Sequence, residues 1–453
     1  MSSHRLVRKD HLAFIAVIST LVIASSSISN YGYFDIAKVV YGQPDPDQMN
    51  SSSTNSVNIQ DISLQNKIDN LSSDIGILDK IKDEIRHTVD NNSSNSAIGI
   101  GFVDPNGTQF FGYGNLSYLN NATVDQNTIF GIGSNTKVFT TILLADMVKD
   151  GIVKLNDPID KHLPSNVTVP QYKGHKITLE DLATHTSGLP EFPNNFCDYY
   201  WDNFDNNLTK QFRTDLINCT RNYSSDQLYQ GLSNTSISRE PGSKFEYSSF
   251  GTTLLGHILT LKSNMSSYEE LLKKRILNVV GMNDTSINGS DVIKSGNLAI
   301  GHLNNNELPI WNFTSTMTPS GGIYSTVNDM LKFVSANMGL FKTKLDAAMQ
   351  ESHLARHYNG FLGPNNVQLV GNNNGEGFYT GLGWVINTNY GNEIIWHNGI
   401  NADGYNSIIA FNPTLQKGIV LLTSADHNNI DVADIGLLHK QGLSYLIWKY
   451  LNS

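Results

Sequence analysis

The chain has 453 residues, of which 39% are hydrophobic, and its formal net charge at pH 7 is −10. This length and hydrophobic content suffice for a sizeable core, whereas an acidic chain has no basic excess with which to bind nucleic acid. We therefore expect one large globular unit, or two closely packed subdomains, acting on something other than DNA or RNA.

Residues 1–30 have the layout of a targeting segment. Arg5, Arg8 and Lys9 precede an apolar run over residues 12–24, and small residues follow at 25–29. A membrane-spanning helix needs about 20 apolar residues, so this shorter run favours a secretory signal peptide over a signal anchor. In either case we expect the rest of the chain to be exported, to the cell surface or the extracellular space.

A polar tether is expected over residues 31–73, because residues 44–58 are mainly Pro, Asp, Asn and Ser and cannot build a core. An amphipathic helix should follow and pack on a sheet. Its apolar residues recur at helical spacing: Ile75, Leu78, Ile81, Ile85 and Val89.

Strand patterns lie at both ends of the remaining domain, residues 74–453. An early hairpin is predicted from residues 98–103 and 109–113 around Pro105-Asn106-Gly107. Late strands are predicted at residues 381–386, 393–397, 405–411 and 418–423. A closing amphipathic helix is predicted from Leu437, Leu438, Leu443, Leu446 and Ile447. Residues 135–340 are mostly helical in pattern, so we expect an α+β fold with a helical subdomain in the middle.

Cys197 and Cys219 lie in one polar insert, about residues 191–236. In an oxidising compartment we expect them to form a disulfide within this insert. Potential glycosylation triplets agree with export, although an Asn- and Ser-rich chain also produces them by chance. They begin, among others, at Asn70, Asn115, Asn166, Asn218, Asn222, Asn234, Asn264, Asn283 and Asn312.

Ser134 and Lys137 have the spacing of a nucleophile and its base. Ser134 opens a strongly apolar helix, which would place its hydroxyl at the positive end of a helix dipole. Lys137 lies on the same helical face, and burial would lower its pKa enough to accept the Ser134 proton at neutral pH. Ser-x-x-Lys also arises by chance with a solvated lysine, but the apolar character of this helix favours a buried one.

Tyr247 and His397 are further candidates. Tyr247 precedes a helix that starts near residue 251, and beside an ammonium group its phenol could be drawn toward the anionic form and carry a proton. His397 ends a strand, and the N–H of Ile400 could join that of Ser134 in an oxyanion hole. Taken singly, a tyrosine before a helix more often belongs to the core, and a histidine at a strand end is usually a polar edge.

Three strings, Ser134-Asn135-Thr136-Lys137, Tyr247-Ser248-Ser249 and His397-Asn398-Gly399, resemble in their order the motifs of serine β-lactamases and penicillin-binding DD-peptidases. The resemblance is to the branch with class C β-lactamases, DD-carboxypeptidases, D-aminopeptidases and related esterases, and it covers residue 75 to the end. Flanking strings agree in the family's order: residues 182–190, 241–248, 281–285, 320–326 and 381–384.

This resemblance implies an antiparallel sheet flanked by helices, an all-helical subdomain and a cleft between them. It implies that Ser134 is acylated, and that Lys137 and Tyr247 transfer its proton. It also implies that His397 and Gly399 line the third side of the cleft. His185 and Gly188 are expected to shape a helix end under the cleft. Neither a metal nor an organic cofactor is implied.

Two departures from the family pattern concern the substrate. Ser249 stands where the family usually has Asn to hydrogen-bond the substrate amide, and it is a shorter donor. His397 stands where class C β-lactamases have Lys, which weakens the expected grip on a substrate carboxylate. Both argue against an efficient β-lactamase.

We therefore expect an exported, monomeric serine hydrolase that cleaves a small amide, a D-peptide or an ester through an acyl-enzyme, with its amino end as an optional membrane anchor. One alternative is a non-catalytic penicillin-binding sensor or surface scaffold, against which the intact Ser134, Lys137 and Tyr247 speak. Another is an assembly protein with a secondary hydrolase domain, but the sequence has no coiled-coil heptads or low-complexity assembly segment.

Overall fold

The computed structural model describes residues 59–91, 96–118, 120, 122–197, 209–303, 306–311, 316–359, 361–362, 368–369, 377–389, 392–425 and 442–453. The predicted targeting segment, most of the predicted tether, Leu437 and Leu438 lie outside these residues. The chain divides into two compact units, Met1–Gly76 and Ile77–Ser453. None of the helices in the described ranges has the length and apolar character needed to cross a membrane.

The first helix, α1, spans Ile59–Asn91. It therefore begins inside the segment that we predicted as a tether. Leu78, Ile81 and Ile85 are buried as the helical spacing predicts, whereas Ile75 is 53% exposed and does not belong to the buried face.

An eight-stranded sheet forms the centre of the second unit. In chain order the described strands are β1 (Ile98–Asp104), β2 (Gly107–Tyr113), β3 (Ile129–Gly131), β4 (Gln171–Tyr172), β5 (His175–Lys176), β6 (His302–Leu303), β7 (Asn306–Glu307), β8 (Tyr324–Thr326), β9 (His357–Tyr358), β10 (Phe361–Leu362), β11 (Gln368–Leu369), β12 (Gly377–Thr380), β13 (Val385–Asn389), β14 (Asn392–Ile400), β15 (Asn406–Asn412) and β16 (Lys417–Thr423). The order in the sheet is β2-β1-β16-β15-β14-β13-β12-β9, and all neighbours are antiparallel. The predicted hairpin and the last three predicted strands are confirmed.

The remaining described helices lie mostly between β3 and β9 in the chain. They are α2 (Thr136–Lys149), α3 (Leu179–Ala183), α4 (Lys210–Arg221), α5 (Ser225–Ser233), α6 (Ser249–Lys262), α7 (Tyr268–Leu272), α8 (Asn278–Val280), α9 (Gly289–Lys294), α10 (Thr318–Gly321), α11 (Val327–Asn337), α12 (Asp346–Ser352) and α13 (Leu443–Leu451). A π-helical turn, Lys273–Leu277, joins α7 to α8. The α+β class and the helical middle of the chain thus agree with the sequence prediction.

Both faces of the sheet are covered, which explains why its strands are apolar almost throughout. Ile408 and Ala410 of β15 face a cluster that includes Ile81 of α1 and Ile447 of α13. The alternate residues, including Phe411, belong to the larger core formed with α2 and α11. Alternation along a strand sends successive side chains to opposite faces, so a strand between two layers needs apolar residues at nearly every position.

The predicted strand at residues 381–386 is wrong over its first four residues. Residues 381–384 form the turn between β12 and β13, in which the Gly381 N–H donates to the Trp384 carbonyl at 2.9 Å, and only residues 385–386 belong to β13. Leu382 and Trp384 are fully buried from this turn. The Leu382 carbonyl accepts a hydrogen bond from Thr141 of α2 at 2.8 Å. The apolar pattern therefore marks a turn packed on the core.

Candidate active site

Ser134 lies in a single turn of 3-10 helix, Gly133–Asn135, that leads into α2. Gly133 has φ +52°, in the left-handed region that favours glycine. A Cβ there would also stand 2.8 Å from the Ile400 nitrogen and about as close to Gly399. Only a glycine allows this turn to lie directly against the end of β14.

Lys137 is buried in the first turn of α2, with 1% of its surface exposed. Its Nζ donates to Ser134 Oγ at 2.9 Å and to the Ser320 carbonyl at 2.6 Å. Burial lowers the pKa of Lys137 to about 7, and the carboxyl group of Glu191 acts in the opposite direction. A substantial fraction of the lysine is therefore neutral at pH 7 and able to accept the Ser134 proton.

Tyr247 lies on the other side of Ser134. Its phenol is hydrogen-bonded to the Ser134 side chain, and Lys137 Nζ lies 4.9 Å from the centre of its ring. Burial raises the pKa of Tyr247 above its ordinary value, and Glu191 raises it further. The expectation that the phenol would be drawn toward its anionic form is therefore wrong. Desolvation outweighs any pull from Lys137, and the phenol keeps its proton.

His185 supports Tyr247 from below. The two rings lie 4.6 Å apart, the His185 carbonyl accepts from the Glu246 N–H at 2.7 Å, and His185 Nδ1 accepts from the Ser248 N–H at 3.1 Å. Burial holds the pKa of His185 well below its usual value, so the ring is neutral with its proton on Nε2. These contacts fit the structural role expected for this segment.

His397 lies near the end of β14 with 4% of its surface exposed. Burial, and then the charge of Lys137, lower its pKa to about 3. Its Nδ1 lies 2.5 Å from the Asn398 carbonyl, and because a carbonyl can only accept, the proton is on Nδ1. The third motif thus presents a neutral imidazole close to Lys137.

The third motif is joined through β15 to the turn Gly133–Asn135, which carries the predicted nucleophile Ser134 and is called the nucleophile turn below. Gly399 is opposite Ser407 in the β14–β15 register. Ser407 Oγ donates to the Ile132 carbonyl at 2.7 Å and accepts from Asn135 Nδ2 at 2.7 Å. The structure therefore brings Ser134, Lys137, Tyr247, His397, Gly399 and Ile400 into one region. Ser249 is close by as the first residue of α6, with 6% of its surface exposed.

Glu191 is a site residue that the motif analysis missed. It is half-buried, and its carbonyl accepts from the Phe250 N–H at 2.8 Å. Burial raises the pKa of its carboxyl group to about 7, and Lys137 acts in the opposite direction. The sequence feature that could have drawn attention to Glu191 is its position directly after the string at residues 182–190. The motifs likewise indicated no role for Ser320, the first residue of the string at residues 320–326. In the structure its carbonyl accepts a hydrogen bond from Lys137.

The predicted disulfide between Cys197 and Cys219 is present, with the two Cα atoms 5.8 Å apart. It ties α4 to the segment that begins with Glu191. From α4, Arg213 Nη1 lies 3.3 Å from the Ala402 carbonyl, in the loop that follows β14. The insert thus contacts the loop that follows the strand carrying the third motif. Within the described ranges, no group of three or more His, Cys, Asp or Glu side chains is placed to hold a metal ion.

The sheet-and-helix fold places the Ser134 hydroxyl beside a buried lysine. The family model Beta-lactamase matches residues 86–443, so the chain belongs to the Beta-lactamase family, which is a family of serine hydrolases. The family predicted from the motifs is confirmed.

Two curated relatives illustrate the family membership. The chain is 30% identical over 259 residues to the D-alanyl-D-alanine-carboxypeptidase/endopeptidase AmpH of Escherichia coli (strain K12), covering 57% of this chain and 60% of that protein. It is 29% identical over 340 residues to Beta-lactamase-like protein 4 of Dictyostelium discoideum, covering 71% of this chain and 55% of that protein. The chain thus spans a little more than half the length of these relatives.

Solved structures establish the fold. A class C β-lactamase in complex with cefoxitin superposes with a TM-score of 0.65 at 20% identity, covering 84% of this chain and 100% of that one. The octameric penicillin-binding protein homologue from Pyrococcus abyssi superposes with a TM-score of 0.62 at 22% identity, covering 82% and 75%. The β-lactamase/transpeptidase-like fold predicted from the sequence is confirmed.

Proposed function

We propose that this protein is an exported serine hydrolase that acts through an acyl-enzyme on Ser134. The observation that carries the proposal is the 2.9 Å hydrogen bond between Lys137 Nζ and Ser134 Oγ, made by a lysine whose pKa burial lowers to about 7. A hydroxyl nucleophile is weak until a neighbouring base takes its proton, and neutral Lys137 is such a base.

In the proposed acylation, Ser134 Oγ bonds to the substrate carbonyl carbon, the Ser134 proton passes to Lys137, and the carbonyl π electrons move to oxygen. The backbone nitrogens of Ser134 and Ile400 are our candidates to stabilise that oxyanion. The bond to the leaving group then breaks, and the leaving group takes the proton from Lys137 through the Tyr247 phenol.

Hydrolysis repeats the same proton path with water. A water oxygen bonds to the acyl carbon and gives its proton to Lys137, and Ser134 leaves with that proton. Tyr247 is suited to this relay because it keeps its own proton while hydrogen-bonded to Ser134. No other proton carrier is needed for either half of the reaction.

The proposed substrate is a small amide, a D-peptide or an ester. The carboxypeptidase name of the Escherichia coli relative supports the D-peptide choice. The neutral His397 supports the reading that a substrate carboxylate is held weakly, and hence that the protein is not an efficient β-lactamase. We expect the protein to act as a monomer, which sedimentation would test.

Export is part of the proposal. The layout of residues 1–30 supports it, and so does the Cys197–Cys219 disulfide, because such bonds persist mainly in oxidising compartments. Whether the amino end is removed or stays as an anchor would follow from mass spectrometry of the protein recovered outside the cell.

Covalent labelling of the full chain tests the function. We expect a fluorescent penicillin, a fluorophosphonate, or both, to label the protein, and Ser134→Ala to lose all label while its melting curve stays close to that of the wild type. Penicillin labelling would indicate an acylase of D-peptides, and fluorophosphonate labelling alone an esterase-like hydrolase. A folded wild type that takes neither label would favour a non-catalytic sensor or scaffold, and label that survives Ser134→Ala would refute the assignment of the nucleophile.

A further inference from the structure

Ser134, Lys137 and Thr140 follow one another at intervals of three residues, so they share one face of α2 and of the turn before it. The last two bond to consecutive carbonyls of α10. Lys137 Nζ donates to the Ser320 carbonyl at 2.6 Å, and Thr140 Oγ1 donates to the Pro319 carbonyl at 2.7 Å. The backbone that holds the lysine is thus itself held by a hydroxyl one turn further along α2.

Tyr268 of α7 supports the Thr140 hydroxyl. The phenol oxygen lies 2.6 Å from Thr140 Oγ1, and both side chains are buried. A carbonyl can only accept, so the single Thr140 proton points to Pro319 and the phenol donates to Thr140. Burial raises the pKa of Tyr268, which therefore keeps this proton at neutral pH. The donated bond favours the rotation of Thr140 toward Pro319 over that toward the Thr136 carbonyl, which is 3.4 Å away.

α10 is also fixed by packing between α2 and α6. Gly256 of α6 lies so close to Pro319 that a Cβ on the glycine would stand 2.2 Å from the proline Cβ. Just after α10, the Ile323 N–H donates to Thr136 Oγ1 at 3.2 Å. Among these contacts, the Thr140 hydrogen bond is made to the peptide unit that directly precedes Ser320.

The position of the Ser320 carbonyl matters because of what a neutral lysine offers. A neutral amine has two N–H bonds and one lone pair, and one N–H must point to this carbonyl, which can only accept. The amine is then held with its lone pair able to face Ser134 Oγ, 2.9 Å away. Once Lys137 has taken the proton, the same carbonyl stabilises the ammonium, since a hydrogen bond to the charged form favours that form.

We propose that Thr140 is a positioning residue of the acylation step, which keeps the Ser320 carbonyl in place to orient Lys137 toward Ser134. The inference rests on the proposed function, because it needs Ser134 to be the nucleophile and Lys137 its base. Thr140 exchanges no proton with the reacting atoms. The proton still passes from Ser134 to Lys137 and then to the leaving group.

The test is the pH profile of Ser134 labelling in the full chain. The second-order rate with a fluorescent penicillin and with a fluorophosphonate would be measured from about pH 5 to pH 9 for the wild type and each variant. Labelling falls as the pH drops and Lys137 becomes protonated, so this fall has a midpoint that follows the titration of Lys137.

The titratable groups that face Lys137 are Glu191, His185, His397 and Tyr247. Burial raises the pKa of Glu191 to about 7, so the midpoint belongs to Lys137 and Glu191 together. The variants keep all of these residues. A difference in midpoint between two variants therefore reports the effect of the substitution itself.

Thr140→Val removes the hydroxyl but keeps the branched shape of the side chain. It leaves the buried Pro319 carbonyl without this donor, so α10 should shift and loosen its bond to Lys137. We expect the midpoint to move to lower pH by about one unit and the plateau rate to fall about tenfold. Tyr268→Phe should move the midpoint in the same direction by less. Thr140→Ser, which keeps the hydroxyl, should have a midpoint and a rate close to those of the wild type.

Thr141→Val is the matched control. Thr141 is the next residue of α2 and is equally buried, and its Oγ1 donates to the Leu382 carbonyl at 2.8 Å, in the turn between β12 and β13. The same substitution there removes a buried hydroxyl whose acceptor lies outside α10. We expect a comparable loss of stability in thermal unfolding, with the midpoint and the rate of the wild type.

A midpoint that stays in place in Thr140→Val overturns the inference, since a merely structural role would lower the plateau alone. A shift of equal size in Thr140→Ser or Thr141→Val also overturns it, because the shift would then not depend on the hydroxyl that faces α10. If Thr140→Val fails to fold, an unchanged midpoint in Tyr268→Phe overturns it equally. Absence of Ser134-dependent label on the wild type would instead remove the proposed function itself, so the two failures are distinguishable.

Discussion

The ammonium group of Lys137 has two hydrogen-bond acceptors, the Ser134 hydroxyl and the Ser320 carbonyl, in a site from which water is almost wholly excluded. Burial disfavours the charged form of a lysine, so the folded protein binds a proton at this position less tightly than the unfolded chain does. The lowered pKa that suits the residue to be a base therefore reduces the stability of the fold.

Lys137→Met should show this conflict directly. The pKa of Lys137 falls from 10.5 to about 7 on folding. Between pH 7 and pH 10.5 the unfolded wild-type chain therefore binds one proton more at Lys137 than the folded protein does. Wild-type stability must then rise with pH in that window, by about 1.4 kcal/mol per pH unit, while the variant lacks this dependence. We expect the free energy of unfolding of the variant to exceed that of the wild type most at or below pH 7. The difference should shrink as the pH approaches 10.5. Urea unfolding at several pH values would measure it, and parallel pH dependences for the two proteins would contradict it.

At the residue scale, sequence reasoning succeeds where spacing determines contact and fails where the environment determines charge. Ser134 and Lys137 are three residues apart on one helix, so their contact follows from helical geometry. The protonation of Tyr247 depends on burial and on Glu191, a residue far away in the chain. No local pattern near Tyr247 contains that information.

At the scale of elements, the start of α6 determines where Tyr247 stands. Ser248 is the N-cap of this helix: its hydroxyl accepts from the Gly251 N–H at 2.9 Å and donates to the Pro190 carbonyl at 2.7 Å. One side chain thus ends the loop that carries Tyr247 and fastens it to the segment that carries His185 and Glu191.

Ser248→Ala should therefore lower both stability and activity. Loss of an N-cap costs about 1 kcal/mol, and the freed loop should slow labelling of Ser134. Ser267→Ala is the matched control, because Ser267 caps α7 by accepting from the Glu270 N–H at 3.1 Å. We expect a similar loss of stability there at an unchanged labelling rate. Equal rates in the two variants would contradict the positioning role of Ser248.

Element boundaries were predicted best where a turn signal stands between two strand patterns, as at Pro105-Asn106-Gly107 between β1 and the start of β2. Prediction failed at residues 381–384 because Leu382 and Trp384 are buried from a turn, and burial rather than strand geometry determines their apolar character. Ile75 is the opposite case. Helical spacing placed it on the predicted apolar face of α1, but its side chain is exposed.

At the scale of the whole molecule, the site exists because the two ends of the domain meet in one sheet. β1 pairs with β16, and β15 and β14 follow, which places the third motif beside the nucleophile turn. Ser407 joins them through Ile132 and Asn135. The motif order predicted which residues would meet, but the side chain that joins them belongs to no motif.

Ser407→Ala should slow Ser134 labelling and destabilise the fold by about 1–3 kcal/mol, because it leaves the buried Asn135 side-chain amide without its acceptor and removes one of the two donors to the Ile132 carbonyl. Ser424→Ala is the control for burial alone. Ser424 is fully buried and its hydroxyl accepts from the Ala97 N–H at 3.0 Å, on a part of the sheet that does not touch the nucleophile turn. We expect a comparable loss of stability without slower labelling, measured by thermal unfolding and by the labelling rate. An unchanged rate in Ser407→Ala would show that this connection is dispensable.

The junction at Ser407 also bears on when the protein becomes reactive during its synthesis. The nucleophile turn is made early on the ribosome, but the strand that supports it is made near the end of the chain. An incomplete chain is therefore expected not to react with acylating probes, and to acquire reactivity only when its last strands join the sheet. Brief pulses of probe during refolding would consequently label only molecules whose sheet is complete, so labelling of Ser134 would report the rate of the final stage of folding.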